Sequence, residues 1–132
     1  MLTVTERALE GFVLIQLAVI GLSHLVAPRA WGEFFGWLRG RGEAGVFALA
    51  FLTLWFGSII VAFHPVWSGL PMVITLLGWA QVIKGALYFT FPRFGLRMLG
   101  RVQGDTTHLF RWPGLALLAL AAVLAWNLFL GP

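Results

Sequence analysis

The chain has 132 residues, of which 60% are hydrophobic and only 11% charged, with a formal net charge of +4. A soluble domain carries about 25% charged residues and has no interior large enough for so many apolar side chains, so the composition points to one integral membrane domain. The absence of cysteine excludes disulfides, thiol chemistry and cysteine-ligated metal. The arginines flank apolar runs, so the positive balance belongs with anionic lipid and topology, and no nucleic acid is expected as a partner.

The first ten residues, MLTVTERALE, set Glu6 and Glu10 against Arg7. They lack the positive start and the small-residue cleavage site of a secretory signal, so Met1 onward reads as mature protein. A first span is predicted over 9–27, with Gln16 as its one strongly polar mid-span residue, Ser23 and His24 near its end, and Pro28 as its stop. In the following PRAWGEFFGWLRGRGE, residues Trp31, Phe34, Phe35 and Leu38 repeat at helical spacing behind an early proline. That predicts a short amphipathic helix over 28–38 lying in the membrane interface, broken up by Gly36, Gly40 and Gly42.

A second span is predicted over 43–63, with a small-residue strip at Ala50, Thr53 and Gly57. The connector from His64 to Gly69 is too short for anything but antiparallel neighbours. The third span, 70–91, carries Lys84 well inside an apolar run. At helical spacing Ile74, Leu77, Gln81, Lys84 and Tyr88 form one stripe bordered by Gly78 and Gly85, a polar and small face that calls for partners on other helices. A second interfacial helix is predicted over 92–102, where Arg93, Arg97 and Arg101 make a basic stripe beside Phe94, Met98 and Val102. Asp105, Thr106 or Thr107 then caps a fourth span over 107–130, which tolerates Pro113 in its first turns and presents Gly114, Ala121 and Ala125 as a small face.

The segments IGLSHLVAPRAWGEFFG and KGALYFTFPRFGLRMLG align without a gap, matching Gly21 to Gly85, Pro28 to Pro92, Arg29 to Arg93 and Gly36 to Gly100, with His24 opposite Tyr88. Two readings stand side by side: duplication of a two-span unit, or two spans that each end on Pro-Arg at a positively charged side. The fold class expected is all-α, an integral membrane four-helix bundle with two short interfacial helices. Arg29, Arg39, Arg41, Arg93, Arg97, Arg101 and Arg111 fall in the first and third loops, whereas Arg7 alone lies on the other side. By the positive-inside rule both long loops are cytoplasmic and both termini outside, most simply in a bacterial inner membrane.

Candidate sites follow from polar groups that a membrane makes costly. Lys84 is either a snorkelling or Glu43-paired structural lysine, or part of a ligand or anion site. Gln16 and Gln81 suit hydrogen bonds between helices, and with Glu43, Lys84 and Tyr88 they make up the expected polar face. His24 and His108 lie on the same side of the membrane and form the candidate pair for a cofactor such as a haem or pigment, against the simpler reading that imidazole prefers the interface. Most of the 7 tryptophans sit near span ends as an aromatic belt; Trp55 and Trp79 are deeper and face lipid or line a lipid or quinone groove. Arg93, Arg97 and Arg101 are the expected anionic-lipid contacts. No catalytic constellation, phosphate-cradling loop or metal-ligand set is visible, and no acidic residue reads as mid-membrane, which disfavours an exporter driven by an intramembrane glutamate.

The run GLSHLVAPRAWGEFFGWL, followed by the apolar stretch containing Gly57, resembles the opening half of small four-span DoxX-like bacterial membrane proteins over residues 11–63. The resemblance implies an accessory role beside quinone-related or redox complexes. The function expected is accordingly a non-catalytic membrane subunit or interaction protein that packs in a larger assembly or with itself and holds lipid or a hydrophobic cofactor of unknown identity. The alternatives are a small homo-oligomeric channel or transporter using the Lys84 face and, third, a membrane oxidoreductase accessory protein.

Overall fold

The computed structural model describes residues 1–102 and 107–131. They form six helices: α1 (Val4–Val26), α2 (Pro28–Gly40), α3 (Glu43–Phe63), α4 (Met72–Thr90), α5 (Pro92–Leu99) and α6 (Thr107–Phe129). α1, α3, α4 and the His108–Phe129 stretch of α6 are each long and apolar enough to cross a membrane. The fold is the expected all-helical four-span bundle with two short amphipathic helices.

Helix ends differ from the expectation where capping chemistry intervenes. α1 starts at Val4 because Thr3 and Glu6 form a reciprocal capping box: the Glu6 amide donates to Thr3 Oγ1 at 3.2 Å and the Thr3 amide donates to Glu6 Oε2 at 2.6 Å. Residues 4–8, ahead of the expected span 9–27, are thus the first turn of the helix, and Glu10 lies two turns inside it. α2 runs through Gly36 and ends at Gly40, and Gly42, whose φ of 62° suits glycine, then caps the start of α3. α5 ends at Leu99, three residues before the expected boundary. Asp105 and Thr106, two of the expected caps of the last span, lie outside the described residues, as does the side chain of the third, Thr107.

Two tight antiparallel pairs, α3 with α4 and α1 with α6, build the bundle. Glycines let the backbones approach. A Cβ on Gly57 would come within 2.7 Å of the Gly78 carbonyl oxygen and the Val82 amide nitrogen, and one on Gly114 within 2.9 Å of the Gly21 carbonyl oxygen. Van der Waals packing of this kind drives helix association where lipid removes the hydrophobic contribution. The core has two layers. Leu9, Val13, Leu17, Ile60, Ile74, Ala121 and Leu124 fill the half nearer the termini. Leu38, Val46, Ala50, Tyr88 and Leu99 fill the other, with α2 and α5 each lowering one leucine into it. Outside stand Phe51, Leu52, Trp55, Trp79, Ile83 and other large apolar side chains, the surface a bilayer would cover.

The halves are related by more than the Pro-Arg corner. Ala27 (φ −126°, ψ 50°) and Phe91 (φ −126°, ψ 70°) make the same turn, and a proline opens each following helix. At one constant displacement along the chain, buried residues meet buried residues: Gly21 and Gly85, His24 and Tyr88, Val46 and Phe110, Ala50 and Gly114, Gly57 and Ala121, Ile60 and Leu124. Exchanging the halves turns the α1–α6 pair into the α4–α3 pair, and the α2–α6 contact into the α5–α3 contact. A two-span unit used twice about a pseudo-two-fold axis accounts for all of this.

Candidate functional site

At the end of the bundle that carries both termini, three buried polar side chains meet. Glu10 of α1 is 1% exposed, His64 at the end of α3 is 0% and Thr75 of α4 is 1%. His64 Nε2 lies 3.2 Å from Glu10 Oε1, and His64 Nδ1 lies 3.0 Å from Thr75 Oγ1. The Thr75 hydroxyl is also 2.8 Å from the His64 carbonyl oxygen and 2.7 Å from that of Val66. A carbonyl can only accept, so the one hydroxyl proton goes to the backbone and Thr75 Oγ1 accepts from His64 Nδ1–H. Nε2 then faces Glu10 either as the donor of an imidazolium or as the acceptor from a protonated carboxyl. Glu10 Oε2 is buried with no hydrogen-bond partner among the described residues.

Glu10 is also the most buried residue lining an open cleft of about 670 Å³ at this end, walled by Glu6, Arg7, Trp67, Ser68 and Asn127 among others. Arg7 closes one side by donating from Nη2 to the Leu128 carbonyl at 2.9 Å, which ties the two terminal segments together.

This trio was not found by reading the sequence. The sequence shows Glu10 only as an acid at the start of the first span and His64 as the first residue of the connector. The available signal was topological: the predicted spans already put Glu10, His64 and Thr75 at the same membrane side, within about two turns of it. Glu10 lies two turns inside α1, near the end that carries the termini, so it is a buried acid within a span but not a mid-membrane one.

The opposite end holds a second arrangement. Arg39 of α2 comes beside α5, where with Arg93, Arg97 and Arg101 it surrounds a cleft of about 820 Å³. A more apolar groove of about 550 Å³ adjoins it, sharing Arg93 and Arg97 and lined by Leu87, Phe91 and Phe94. Arg93 Nε lies 3.7 Å from Glu43 Oε1, with both side chains largely exposed, so the pair contributes little.

The expected polar face of α4 is distributed differently. The buried positions are Ile74, Thr75, Gly78, Gly85 and Tyr88, because the close approach of α3 selects the glycines. Gln81 and Gln16 are half-buried. Lys84 is exposed at the helix edge, with Nζ 5.6 Å from the Tyr88 ring centroid. Of the alternatives for Lys84, pairing with Glu43 is not the arrangement found: Glu43 lies beside Arg93, at the start of α5.

His24 is buried and donates from Nδ1 to the Ile20 carbonyl at 2.7 Å, since the carbonyl must accept. Its ring stacks on Trp31 at 4.1 Å and leans on Phe110 at 5.7 Å, while Trp31 Nε1 donates to Ser23 Oγ at 2.9 Å. His108 is exposed on α6. Among the described residues no group of three or more histidines and acids stands close enough to hold a metal ion.

The three small-residue faces, of which at least one is expected to remain free for a neighbouring protein or another copy, are all used within the bundle. Ala50, Thr53 and Gly57, then Gly78 and Gly85, then Gly114 and Ala121 are all buried, and Ala125 is half-buried. Both helix pairs need that close approach, so none of these three faces is left wholly free.

The fold and these two sites define a class: a four-span helical membrane protein with a buried acid–imidazole pair at one end and an arginine-lined cleft at the other. No protein-family model, no curated protein and no solved structure matches the chain.

Proposed function

We propose that the protein is a non-catalytic integral membrane protein that holds an anionic, phosphate-bearing lipid at the α2–α5 face, as a component of a larger membrane assembly. One observation carries the lipid reading. Four arginines, one from α2, two from α5 and one from the turn just after α5, surround one cleft, and an apolar groove continues from it. A headgroup suits the guanidinium forks, and an acyl chain suits Leu87, Phe91 and Phe94. Each basic residue near an anionic surface contributes about 1 kcal/mol. In this reading the arginine end is cytoplasmic, in a bacterial inner membrane, and the lipid is shared with a neighbouring subunit, the accessory role that the DoxX-like resemblance implies.

The test is retention of lipid by the purified chain in mixed phosphatidylglycerol and phosphatidylcholine nanodiscs, followed by native mass spectrometry. Wild type is expected to keep the anionic lipid selectively, and the triple replacement of Arg39, Arg97 and Arg101 by glutamine to lower that selectivity about a hundredfold, as the loss of about 1 kcal/mol at each position implies. Equal retention of both lipids by wild type, or no change in the variant, rejects the reading.

The orientation has its own test. Single cysteines at Gly40 and at Ser68 lie at opposite ends of the bundle. In intact cells an impermeant thiol reagent is expected to label the Ser68 site and spare the Gly40 site. The reverse pattern puts the arginine end outside.

A further inference from the structure

Glu10, His64 and Thr75 take no part in the lipid reading, and the other half of the bundle does not repeat them. At the displacement that relates the halves, Glu10 corresponds to Ile74, Thr75 to Gly11 and His64 to Leu128. Of these only Ile74 is fully buried; Gly11 and Leu128 are half-buried, so the other half has no counterpart of the buried acid and imidazole.

Hydrogen-bond roles then restrict the protonation of the pair. Thr75 holds the Nδ1 proton, as argued above, so His64 presents only Nε2 to Glu10. At 3.2 Å that contact is attractive when one proton sits between Nε2 and Oε1, on either atom. With that proton absent, a carboxylate lone pair faces an imidazole lone pair, both on buried side chains, and the contact is repulsive. The second carboxyl oxygen is buried and unpartnered, on a residue that lines the terminal cleft.

We propose that Glu10 and His64 together bind one exchangeable proton and trade it with water in the terminal cleft, with Thr75 as the positioning residue that fixes the imidazole tautomer. In the bound state the proton moves between Oε1 and Nε2 with no change in total charge. In release it passes from the carboxyl to a cleft water, which carries it out as hydronium. The carboxylate and neutral imidazole left behind repel each other, and the ends of α1 and α3 separate. The described charged groups facing this site are Glu6 and Arg7 from α1 and the Met1 amino group. α6 contributes only Asn127 and Leu128, and α4 only the Thr75 hydroxyl. Glu6 is held by the Thr3 amide and Arg7 by the Leu128 carbonyl, so neither is directed at Oε2.

Nitrogen NMR of the full chain in nanodiscs, labelled at histidine, tests this. His64 is assigned by its absence in His64→Gln or, where that variant does not fold, by its through-space contact with Thr75. The expected spectrum shows Nδ1 protonated at every pH and an Nε2 signal that shifts as pH rises. In Glu10→Gln, whose amide donates to Nε2 without a labile acid, the shift is expected to vanish. In Thr75→Val, Nδ1 loses its acceptor and the tautomer is expected to become mixed. An Nε2-protonated tautomer with bare Nδ1 in wild type overturns the proposal, and needs no variant to fold. So does an identical pH response in wild type and Glu10→Gln.

Discussion

Replacing Gly57 with leucine is expected to destabilise the bundle by more than about 3 kcal/mol, beyond the usual range for an overpacked site. The first added carbon alone would stand 2.7 Å from the Gly78 carbonyl oxygen and the Val82 amide nitrogen. These are backbone atoms of α4, and no side-chain rotation relieves them. The helices must separate, and the α3–α4 pair loses the contacts that hold it in lipid. Thermal unfolding in mild detergent measures the effect. Gly11→Leu is the control, since a Cβ at Gly11 meets nothing within 4 Å; it is expected to change stability by under about 0.5 kcal/mol. Equal stability of the two variants contradicts the packing described here.

The second large effect is expected at the buried pair. His64→Leu leaves Glu10 buried beside a leucine, and Glu10→Leu leaves His64 with a bare Nε2. Removing one partner of a buried pair costs about 3–5 kcal/mol, whereas replacing both with apolar groups is often close to neutral. The double variant Glu10→Leu/His64→Leu is therefore expected to be more stable than either single one. It imitates the Ile74 and Leu128 found at the equivalent positions of the other half. A double-mutant cycle by denaturant unfolding gives the coupling directly. Additive costs mean that the two side chains do not depend on each other. A stable double variant that no longer responds to pH separates the role of the pair in proton binding from its role in packing.

The arginine end and the termini end differ in how much of each the sequence disclosed. Arg93, Arg97 and Arg101 share a stripe by spacing alone, and their helix follows from Pro92 and the flanking apolar residues. Arg39 joining them did not follow, because it sits on α2 and nothing local says that α2 and α5 lie side by side. Lys84 drew notice as a charge within an apolar run, but helical spacing defines faces only relative to one another. Which face turns inward is decided by where the neighbouring backbone fits, and on α4 that is at Gly78 and Gly85.

What the sequence determined by itself is set by local physics: four apolar runs of spanning length, prolines that stop α1 and α4 and open α2 and α5, and amphipathic spacing in the short helices. A membrane leaves an apolar run few conformations other than a helix, so these features are legible without knowledge of the partners. Tertiary structure decided which helices pair, which small faces are consumed, and that Glu10, His64 and Thr75 touch. Glu10 and His64 are far apart in the chain and belong to different spans, and each looks ordinary near a span end. Their meeting depends on α1 crossing the end of α3, a geometry produced by glycine contacts elsewhere in the bundle and therefore written in no stretch of sequence around either residue.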